Sequence, residues 1–114
     1  MKASNTPTFG ATAARLQEAL DSLTRATQWL LAEKGSQAAL AGATPYLRLF
    51  GIAAGGCLLA TQATAALRDN PDGENRVALA RFFAENIAVQ ASGLERSVTE
   101  GAESVLQTDA ALAL

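Results

Sequence analysis

Apolar positions recur along most of this chain at intervals of three and four residues, which is the spacing of one face of an α-helix. From about Ala11 to Lys34 this spacing predicts a first long helix, which ends at Gly35. Its apolar stripe comprises Leu16, Leu20, Leu23, Thr27, Leu30 and Lys34. Trp29 lies about 140° from this stripe at 100° per residue, so the pattern puts it on the charged side of the helix.

The second helical region is apolar on more than one face. Ser36 can cap a short helix through about Ala41, and Thr44 and Pro45 then have the composition of an N-cap and first turn for a long helix to about Arg68. Two stripes run side by side along it: Tyr46, Phe50, Ala53, Cys57, Ala60, Thr64 and Leu67 form the first, and Leu49, Ile52, Gly56, Leu59, Ala63 and Ala66 form the second. Such a helix must be covered by protein on more than one side, which makes it the central element.

A third long helix is predicted from about Glu74 to Gln107, after an Asn-Pro-Asp-Gly turn at residues 70–73. Its stripe comprises Val77, Ala80, Ala84, Ile87, Ala91, Leu94 and Val98, and Ala102 and Val105 continue it after a shift of one residue. Gly93 and Gly101 destabilise a helix interior, so either can mark a kink or the start of a fourth helix. The sequence therefore predicts an all-α, up-down antiparallel bundle of three long helices, or of four.

Composition supports a helical chain and removes several kinds of chemistry. The chain has 26 Ala and 16 Leu against 4 Val and 2 Ile, and the two abundant residues are strong helix formers. It has no His and one Cys, Cys57, which excludes histidine-based catalysis, zinc fingers and disulfide frameworks. A net charge of −2 without a basic stripe argues against nucleic acid as a partner.

The first residues differ from the remainder of the chain. Residues 1–10 are polar, include Pro7 and contain no apolar run, which predicts a disordered or extended segment without an export signal. Residues 11–112 then form one helical-bundle domain. A lone cysteine is typical of a reducing compartment, so we expect a cytoplasmic protein.

The middle helix has the length of a membrane span, because residues 49–67 are 19 without a charge. Gly51 and Gly55 also form a G-x-x-x-G pair, which membrane helices use to pack closely. The segment is mostly Ala and Gly, however, and Thr61, Gln62 and Thr64 lie within it. We therefore interpret it as a buried helix in which the glycine pair marks close packing, and we expect no membrane partner.

The residues themselves indicate no catalytic, cofactor-binding or metal site. Paired carboxylates that bind metal in helical bundles are accompanied by histidines, and this chain has none. Four glutamates of the third helix lie off its stripe, which predicts a solvated face; they are Glu85, Glu95, Glu100 and Glu103.

Two aromatic residues and two arginines stand out from the bundle pattern. Trp29 and Phe82 lie away from the stripes of their helices, and Arg48 and Arg81 each adjoin aromatic residues. One interpretation is a second layer of core with structural charges, and the other is a contact surface for another domain or a second copy of the chain. In the second interpretation the interface residues are Trp29, Tyr46, Arg48, Phe50, Arg81 and Phe82.

Three stretches resemble the C-terminal helical domain that some bacterial acyl-CoA dehydrogenases carry. They are ATAARLQEALDSLTRATQWLL at 11–31, GATPYLRLFGIAAGGCLLA at 42–60 and RVALARFFAENIAVQASGL at 76–94. The most distinctive pieces are PYLRLFG, followed by AGG and a Leu pair, and RFFAEN, which begins at Arg81. Their order and approximate spacing also fit, so the resemblance extends over about residues 11–112.

The resemblance implies that the parent protein is an FAD-dependent acyl-CoA dehydrogenase, an oxidoreductase of fatty acid metabolism. In such enzymes a glutamate removes the α-proton of the acyl-CoA, the β-hydride goes to flavin N5, and electrons leave through an electron-transfer flavoprotein. The resemblance places those groups in upstream domains, so it carries over no catalytic residue and implies no cofactor in this chain. The implied role is structural, with this domain packed against the catalytic body or a partner subunit.

Two other classes of function stay open. One is a free-standing helical protein that self-associates through its middle helix or acts as an interaction module. The other is binding to a lipid surface, which the polar faces favour less because they lack an excess of Lys and Arg.

Overall fold

The protein is described here by a computed structural model that covers residues 10–69 and 73–112. These residues form six α-helices: α1 (Thr12–Ala32), α2 (Gln37–Ala41), α3 (Ala43–Asp69), α4 (Gly73–Phe82), α5 (Ala91–Thr99) and α6 (Ala102–Leu112). A π-helical turn (Phe83–Ile87) and a 3-10 turn (Ala88–Gln90) join α4 to α5, and no strand occurs among the residues described. The predicted all-α bundle is therefore confirmed, whereas the prediction for residues 1–9 lies outside the described part.

The connection between α1 and α2 follows the predicted signals. Gly35 adopts a φ of +84° just after α1, a conformation that glycine reaches without the steric cost other residues meet. Ser36 then caps α2, because its Oγ accepts a hydrogen bond of 3.1 Å from the backbone N–H of Ala39. The start of the short second helix is thus confirmed, and α1 ends at Ala32, two residues before the predicted Lys34.

The start of α3 differs from the prediction that Thr44 is its N-cap. The helix begins at Ala43, two residues earlier than a cap at Thr44 implies, and the carbonyl of Gly42 accepts the first helical bond from the N–H of Tyr46 at 3.0 Å. Gly42 is buried, and a Cβ on it would lie 3.2 Å from the carbonyl oxygen of Val98. The residue that precedes α3 therefore lies in close contact with α5, and Pro45 lies in the first turn, where no N–H is required.

The third helical region is interrupted at a place that the sequence did not indicate. The backbone N–H of Ala88 bonds to the carbonyl of Phe83, the five-residue step of a π turn, and the tighter 3-10 turn follows directly. Gly93 lies inside regular helix, so of the two glycines only Gly101 coincides with a break. A Cβ on Gly101 would lie 2.7 Å from the carbonyl oxygen of Ser97, which explains why glycine occupies this break.

Beyond this break, α6 leaves the line of α5 and packs against α2. The sequence predicted that Val105 continues the apolar stripe of the third helix. Val105 is instead 54% exposed, because the change of direction at Gly101 ends that stripe. The third helix is therefore two helices with different neighbours, and α6 is the fourth long segment that the sequence allowed.

The helices run up, down and up around a common core. Thr27 of α1 meets Tyr46 near the start of α3, and Leu16 meets Gly56 further along it, so α1 and α3 are antiparallel. Phe83 also lies against Gly56, and the chain then returns along α5 towards the start of α3. We call this part, where α1, α3 and α5 meet, the three-helix part.

Beyond Gly56, α3 continues for 13 residues to Asp69, about 20 Å at 1.5 Å per residue. There it pairs with α4, and a second small cluster of Ala63, Val77 and Ala80 lies between the two helices, with Leu59 packed against it. We call residues 61–69 together with 73–80 the hairpin arm. The arm contributes to the elongated outline of the chain, which measures 61 × 25 × 18 Å.

Small side chains dominate the interior. Ten of the fifteen buried hydrophobic residues in the described part are alanine, which lets helix axes approach closely. On α1 the buried positions are Thr12, Leu16, Ala19, Ser22 and Ala26. The buried face of α1 is thus rotated towards its alanines, and the leucines of the predicted stripe after Leu16 are only half-buried.

Candidate docking surface

The described surface carries many large apolar side chains. Those exposed are Leu31, Leu40, Leu47, Phe50, Leu58, Leu67, Leu79, Phe82, Val89 and Val105. Scattered apolar residues are ordinary on a protein surface, whereas neighbouring ones mark contact sites. Helix α3 alone contributes four of them, which makes it the strongest candidate for a contact site.

One face of α3 is uncovered along much of its length. Its members are Leu47, Gly51, Ala54, Leu58, Thr61 and Ala65; five are exposed and Ala54 is half-buried. We call these six residues the open face. They recur at intervals of four and three residues, the spacing at which one helix packs lengthwise on another. The hydropathy pattern did not single out this face, because the two more apolar stripes lie on the other sides of the helix.

The open face contains no charged residue and one hydroxyl. The hydroxyl of Thr61 donates a hydrogen bond of 2.9 Å to the carbonyl of Cys57 within the same helix. Its proton is therefore already paired, and covering the face would leave no unpaired donor at Thr61. This chemistry suits a face that becomes buried.

Helix α3 is also apolar and long enough to cross a membrane, by length and composition alone. The span is Ala43–Leu67, with a mean hydropathy of 1.4, and 33% of the most apolar window is buried inside the chain. The sequence predicted that this helix is wrapped by protein on most sides. Within the described residues that wrapping is incomplete, because α1, α4 and α5 leave the open face uncovered.

Three glycines of α3 show which side of the helix the chain uses. A Cβ on Gly56 would clash with Leu16 Cδ2 and lie 3.1 Å from Phe83 Cε1, so close packing inside the chain requires this glycine. A Cβ on Gly51 would meet nothing within 4 Å, and one on Gly55 would meet only Phe83 Cζ at 3.7 Å. A glycine inside a helix costs about 1 kcal/mol relative to alanine, and no contact within the described chain explains that cost at Gly51.

Of the six residues predicted to form an interface, four lie on the surface of α3 and α4. Phe50 is 49% exposed and Phe82 is 57% exposed. Arg48 is exposed on α3 and forms none of the ion pairs seen in the described part of the chain. Arg81 pairs with Glu85 at 2.9 Å, four residues later on the same helical run, and its side chain also lies beside Gly10.

The other two predicted interface residues lie between the helices of the chain. Trp29 is half-buried and packs against the main core, because the buried face of α1 is rotated towards it. Tyr46 also packs there, and its hydroxyl lies 2.8 Å from the hydroxyl of Thr27, a hydrogen bond between α3 and α1. The structure thus separates the six residues into an interior pair and a surface set, and their role as an interface stays a prediction.

The sequence also missed an ion pair between two helices. Arg25 of α1 donates two hydrogen bonds of 2.9 Å to the carboxylate oxygens of Glu95 on α5, which is partly covered. These bonds lower the pKa of Glu95, and Glu95 in turn raises the pKa of Arg25. The predicted solvated face is therefore wrong for Glu95, whose side chain is 18% exposed, whereas Glu85 pairs with Arg81 of its own helical run at the surface. Only the packing of α1 beside α5 brings residues 25 and 95 together.

A cleft of about 540 Å³ lies between the ends of α1 and α5, α2 and α6. Its lining comprises Trp29, Glu33, Ala38, Thr99, Glu100, Glu103 and Leu106. Three carboxylates would repel the diphosphate of FAD, which proteins bind with helix N-termini and backbone N–H groups. The cleft therefore does not fit the flavin that the sequence resemblance assigned to the parent enzyme.

The described residues offer little else for chemistry. No group of three or more His, Cys, Asp or Glu able to hold a metal occurs among them. Cys57 is half-buried, and this burial raises the pKa of its thiol, so little reactive thiolate forms at neutral pH. The geometry of the described residues supports contacts between helices.

Comparison with known proteins gives a family match. A family model described as "Acetyl-CoA dehydrogenase C-terminal like" matches residues 1–109 of the 114-residue chain. Neither the curated proteins nor the solved structures gave a match. The match spans almost the whole chain, including all three stretches on which the sequence resemblance rests.

Proposed function

The chain belongs to the acetyl-CoA dehydrogenase C-terminal-like family, and from this premise we propose that it is the structural accessory domain of an FAD-dependent acyl-CoA dehydrogenase. The domain packs against the catalytic body or a neighbouring subunit and supplies no catalytic residue. Flavin, the catalytic base and the acyl-CoA site belong to the parent enzyme, which works in the cytoplasm in fatty acid metabolism. The family match over residues 1–109 is the observation that carries this proposal.

The surface of the chain supports a docking role. Leu79 and Phe82 lie three residues apart on α4, so they occupy neighbouring places on the helix, and both are more than half exposed. Arg81 precedes Phe82 in the sequence and is 48% exposed at its side chain even though it pairs with Glu85. Exposed aromatic and arginine side chains are enriched in interface cores. On this proposal they meet the catalytic body.

The interior pair has a different part in the same role. Trp29 packs against the buried core, and the hydrogen bond between Tyr46 and Thr27 fixes the level at which α1 and α3 meet. A rigid bundle presents its surface residues in one arrangement, which lowers the entropic cost of docking. We therefore assign Trp29 and Tyr46 to the rigidity of the domain, and Phe82, Phe50 and their neighbouring arginines to contact.

The test is to tag the chain at its own chromosomal locus and isolate it under native conditions. We expect the tag on, or stoichiometrically with, a yellow flavoprotein that reduces an electron-acceptor dye when an acyl-CoA is added. Phe82→Ser should lower the temperature at which this flavoprotein loses activity. The matched control is Leu40→Ser, since Leu40 is 76% exposed and belongs to α2, which carries none of the residues assigned to the contact.

A colourless tagged product without acyl-CoA-dependent dye reduction would overturn the proposal. The second candidate, a free-standing protein that self-associates, would then be favoured, and the uncovered face of α3 is the observation that supports it.

A further inference from the structure

We propose that the open face of α3 is an interface between two copies of this chain, in which two α3 helices pack antiparallel about a two-fold axis between Ala54 and Gly55. The inference goes beyond the proposed function, because it concerns how two copies meet and holds for any parent enzyme. Three observations support it. They are a glycine that no contact within the described chain explains, the order of large and small residues along the open face, and the distribution of charge on α3.

The glycine is Gly51. Helical conformation does not require glycine there, and a Cβ at this position would meet nothing within 4 Å. A mid-helix glycine without an internal neighbour is explained when another chain approaches the bare backbone from outside. Gly93 of α5 is equally free of neighbours, but Gln90, Arg96 and Ser97 near it are exposed and polar, so no apolar face continues there.

The order of large and small residues makes the open face complementary to itself. With the axis between residues 54 and 55, residue numbers that face each other add up to 109. Leu58 of each copy then lies over Gly51 of the other copy, so a large side chain fills the space that the glycine leaves. Leu47 lies over Gln62, and Ala54 meets Gly55 at the axis, where small residues let the helices come close.

Charge selects the antiparallel direction. Arg48, exposed at one edge of the open face, is the only charged residue between positions 34 and 68. A parallel pair would put the two Arg48 side chains at the same level, where like charges repel. In the antiparallel pair, Arg48 lies at the level of Thr61 of the other copy. The two Arg48 residues are then 13 residues, or about 20 Å, apart along the helix direction.

The available area is sufficient for a reversible dimer. With the axis between residues 54 and 55, the two α3 helices overlap over residues 43–66, which are 24 residues. At 1.5 Å per residue and about 11 Å across, half of the lateral surface of that overlap is roughly 620 Å². Stable interfaces bury about 800 Å² per partner, with a lower limit near 600 Å². The dimer should therefore depend on protein concentration, and the hydrogen bond already made by Thr61 removes one desolvation cost.

The first experiment is disulfide cross-linking of the 114-residue chain in a Cys57→Ser background. Cysteines link only when their Cα atoms are within about 7 Å. Ala54→Cys, beside the axis, should link to itself in the second copy under mild oxidation. Leu47→Cys should not link to itself, but it should link to a Gln62→Cys chain when the two variants are mixed. Self-linking at both 54 and 47 would mean a parallel pair and would overturn the proposal, as would no linking at any position.

The second experiment measures association by sedimentation equilibrium. Gly51→Leu fills the space for Leu58, so we expect the dissociation constant to rise at least tenfold. Gly93→Leu is the matched control, because it makes the same substitution at a helical glycine that also has free space, and it should leave the dissociation constant unchanged. Both variants should keep the helicity of the unmodified chain, which far-UV circular dichroism checks.

A chain that is monomeric at all concentrations would overturn the proposal. Flotation of that monomer with phosphatidylcholine–phosphatidylglycerol vesicles would assign the open face to a membrane instead, and it would overturn the dimer equally. These outcomes are separate from the fate of the proposed function. If the tagged chain is found with a yellow flavoprotein but does not cross-link, only the dimer proposal is overturned. If the chain cross-links but is isolated colourless, only the proposed function is overturned.

Discussion

In the three-helix part, α1, α3 and the run from α4 to α5 enclose eleven buried residues, whereas in the hairpin arm α3 and α4 enclose three. Both parts use the same kind of sequence, with alanines at intervals of three and four. The difference is the number of neighbouring helices. An alanine stripe becomes a well-packed interior when a third helix closes it, and remains a shallow seam when only two helices meet.

The sharpest test of this comparison is Leu49→Ala. Leu49 is fully buried in the three-helix part, at 0% exposure. Removing three side-chain carbons leaves a cavity that surrounding helices close only partly, so we expect a loss of about 2–5 kcal/mol in the free energy of unfolding. Leu31→Ala, at a position that is 67% exposed, is the control and should cost little. Chemical denaturation followed by circular dichroism measures both, and equal losses would contradict a closed core around Leu49.

The boundary between the two parts is tested by Gly56→Ala. The added methyl would push against Leu16 and Phe83 at the point where three helical segments meet, so we expect a loss of about 1–3 kcal/mol. Gly93→Ala should instead gain up to about 1 kcal/mol, because it adds helix propensity in free space. The same denaturation assay applies, and a Gly56→Ala variant as stable as the Gly93→Ala variant would remove the tight junction from the description.

The hairpin arm should respond to Val77→Ala less strongly and more locally. Val77 is 1% exposed between α3 and α4. Its truncation removes two buried methyl groups, about 1.6 kcal/mol at 0.8 kcal/mol per group. Hydrogen exchange read by mass spectrometry should already be faster in the arm than in the three-helix part, and faster still in the arm of this variant. Equal protection of the two parts would show that they unfold as one unit.

The smallest effect is expected at the ion pair between Arg25 and Glu95. Its bonds lower the pKa of Glu95 below the ordinary carboxyl value of 4.5, so the folded state binds this proton less readily than the unfolded state. The pair therefore stabilises the three-helix part above pH 4.5, and that contribution is lost as the pH falls through the lowered pKa. Glu95→Gln should make the melting temperature depend less on pH over this acid range, and Glu103→Gln is the control. Identical acid profiles for the two variants would contradict the assignment.

The positions of the helices and the buried stripe of α3 could be predicted from the sequence. Periodic leucines and alanines, Gly35 and Ser36 indicate where elements lie and end, because these signals act within one or two turns. The stripe of Leu49, Ile52 and Gly56 was also predicted, and the structure buries it. Local physics of this kind needs no knowledge of neighbouring helices.

Predicting which helix faces are buried, and where the third helical region breaks, requires knowledge of the neighbouring helices. Alanine suits a buried and an exposed helix position about equally well, so an alanine-rich pattern cannot say which side is inside. This is why the predicted stripe of α1 is rotated from its buried face, and why the open face of α3 was overlooked. The π turn after Phe82 likewise has no composition signal of its own.

The candidate contact residues divide in the same way. Phe82 was predicted as a contact residue because it lies away from the apolar stripe of its helix, and in the structure it is exposed. Trp29 stood out on the same reasoning, and the structure packs it against the core. The difference arises from the rotation of α1 in the bundle, which depends on the shapes of α3 and α5 and not on the sequence of α1 alone.

The alanine interior has a consequence for how this domain can diverge during evolution. Where the axes are separated by little more than methyl groups, even a valine must force two helices apart. Positions such as Ala53 and Ala84, both with 0% exposure, should therefore stay restricted to the smallest residues in distant descendants. Outward leucines are free to vary unless another protein holds them in place. If related proteins retain the exposed leucines of α3 as strictly as the buried alanines, that retention would indicate that a partner covers these leucines.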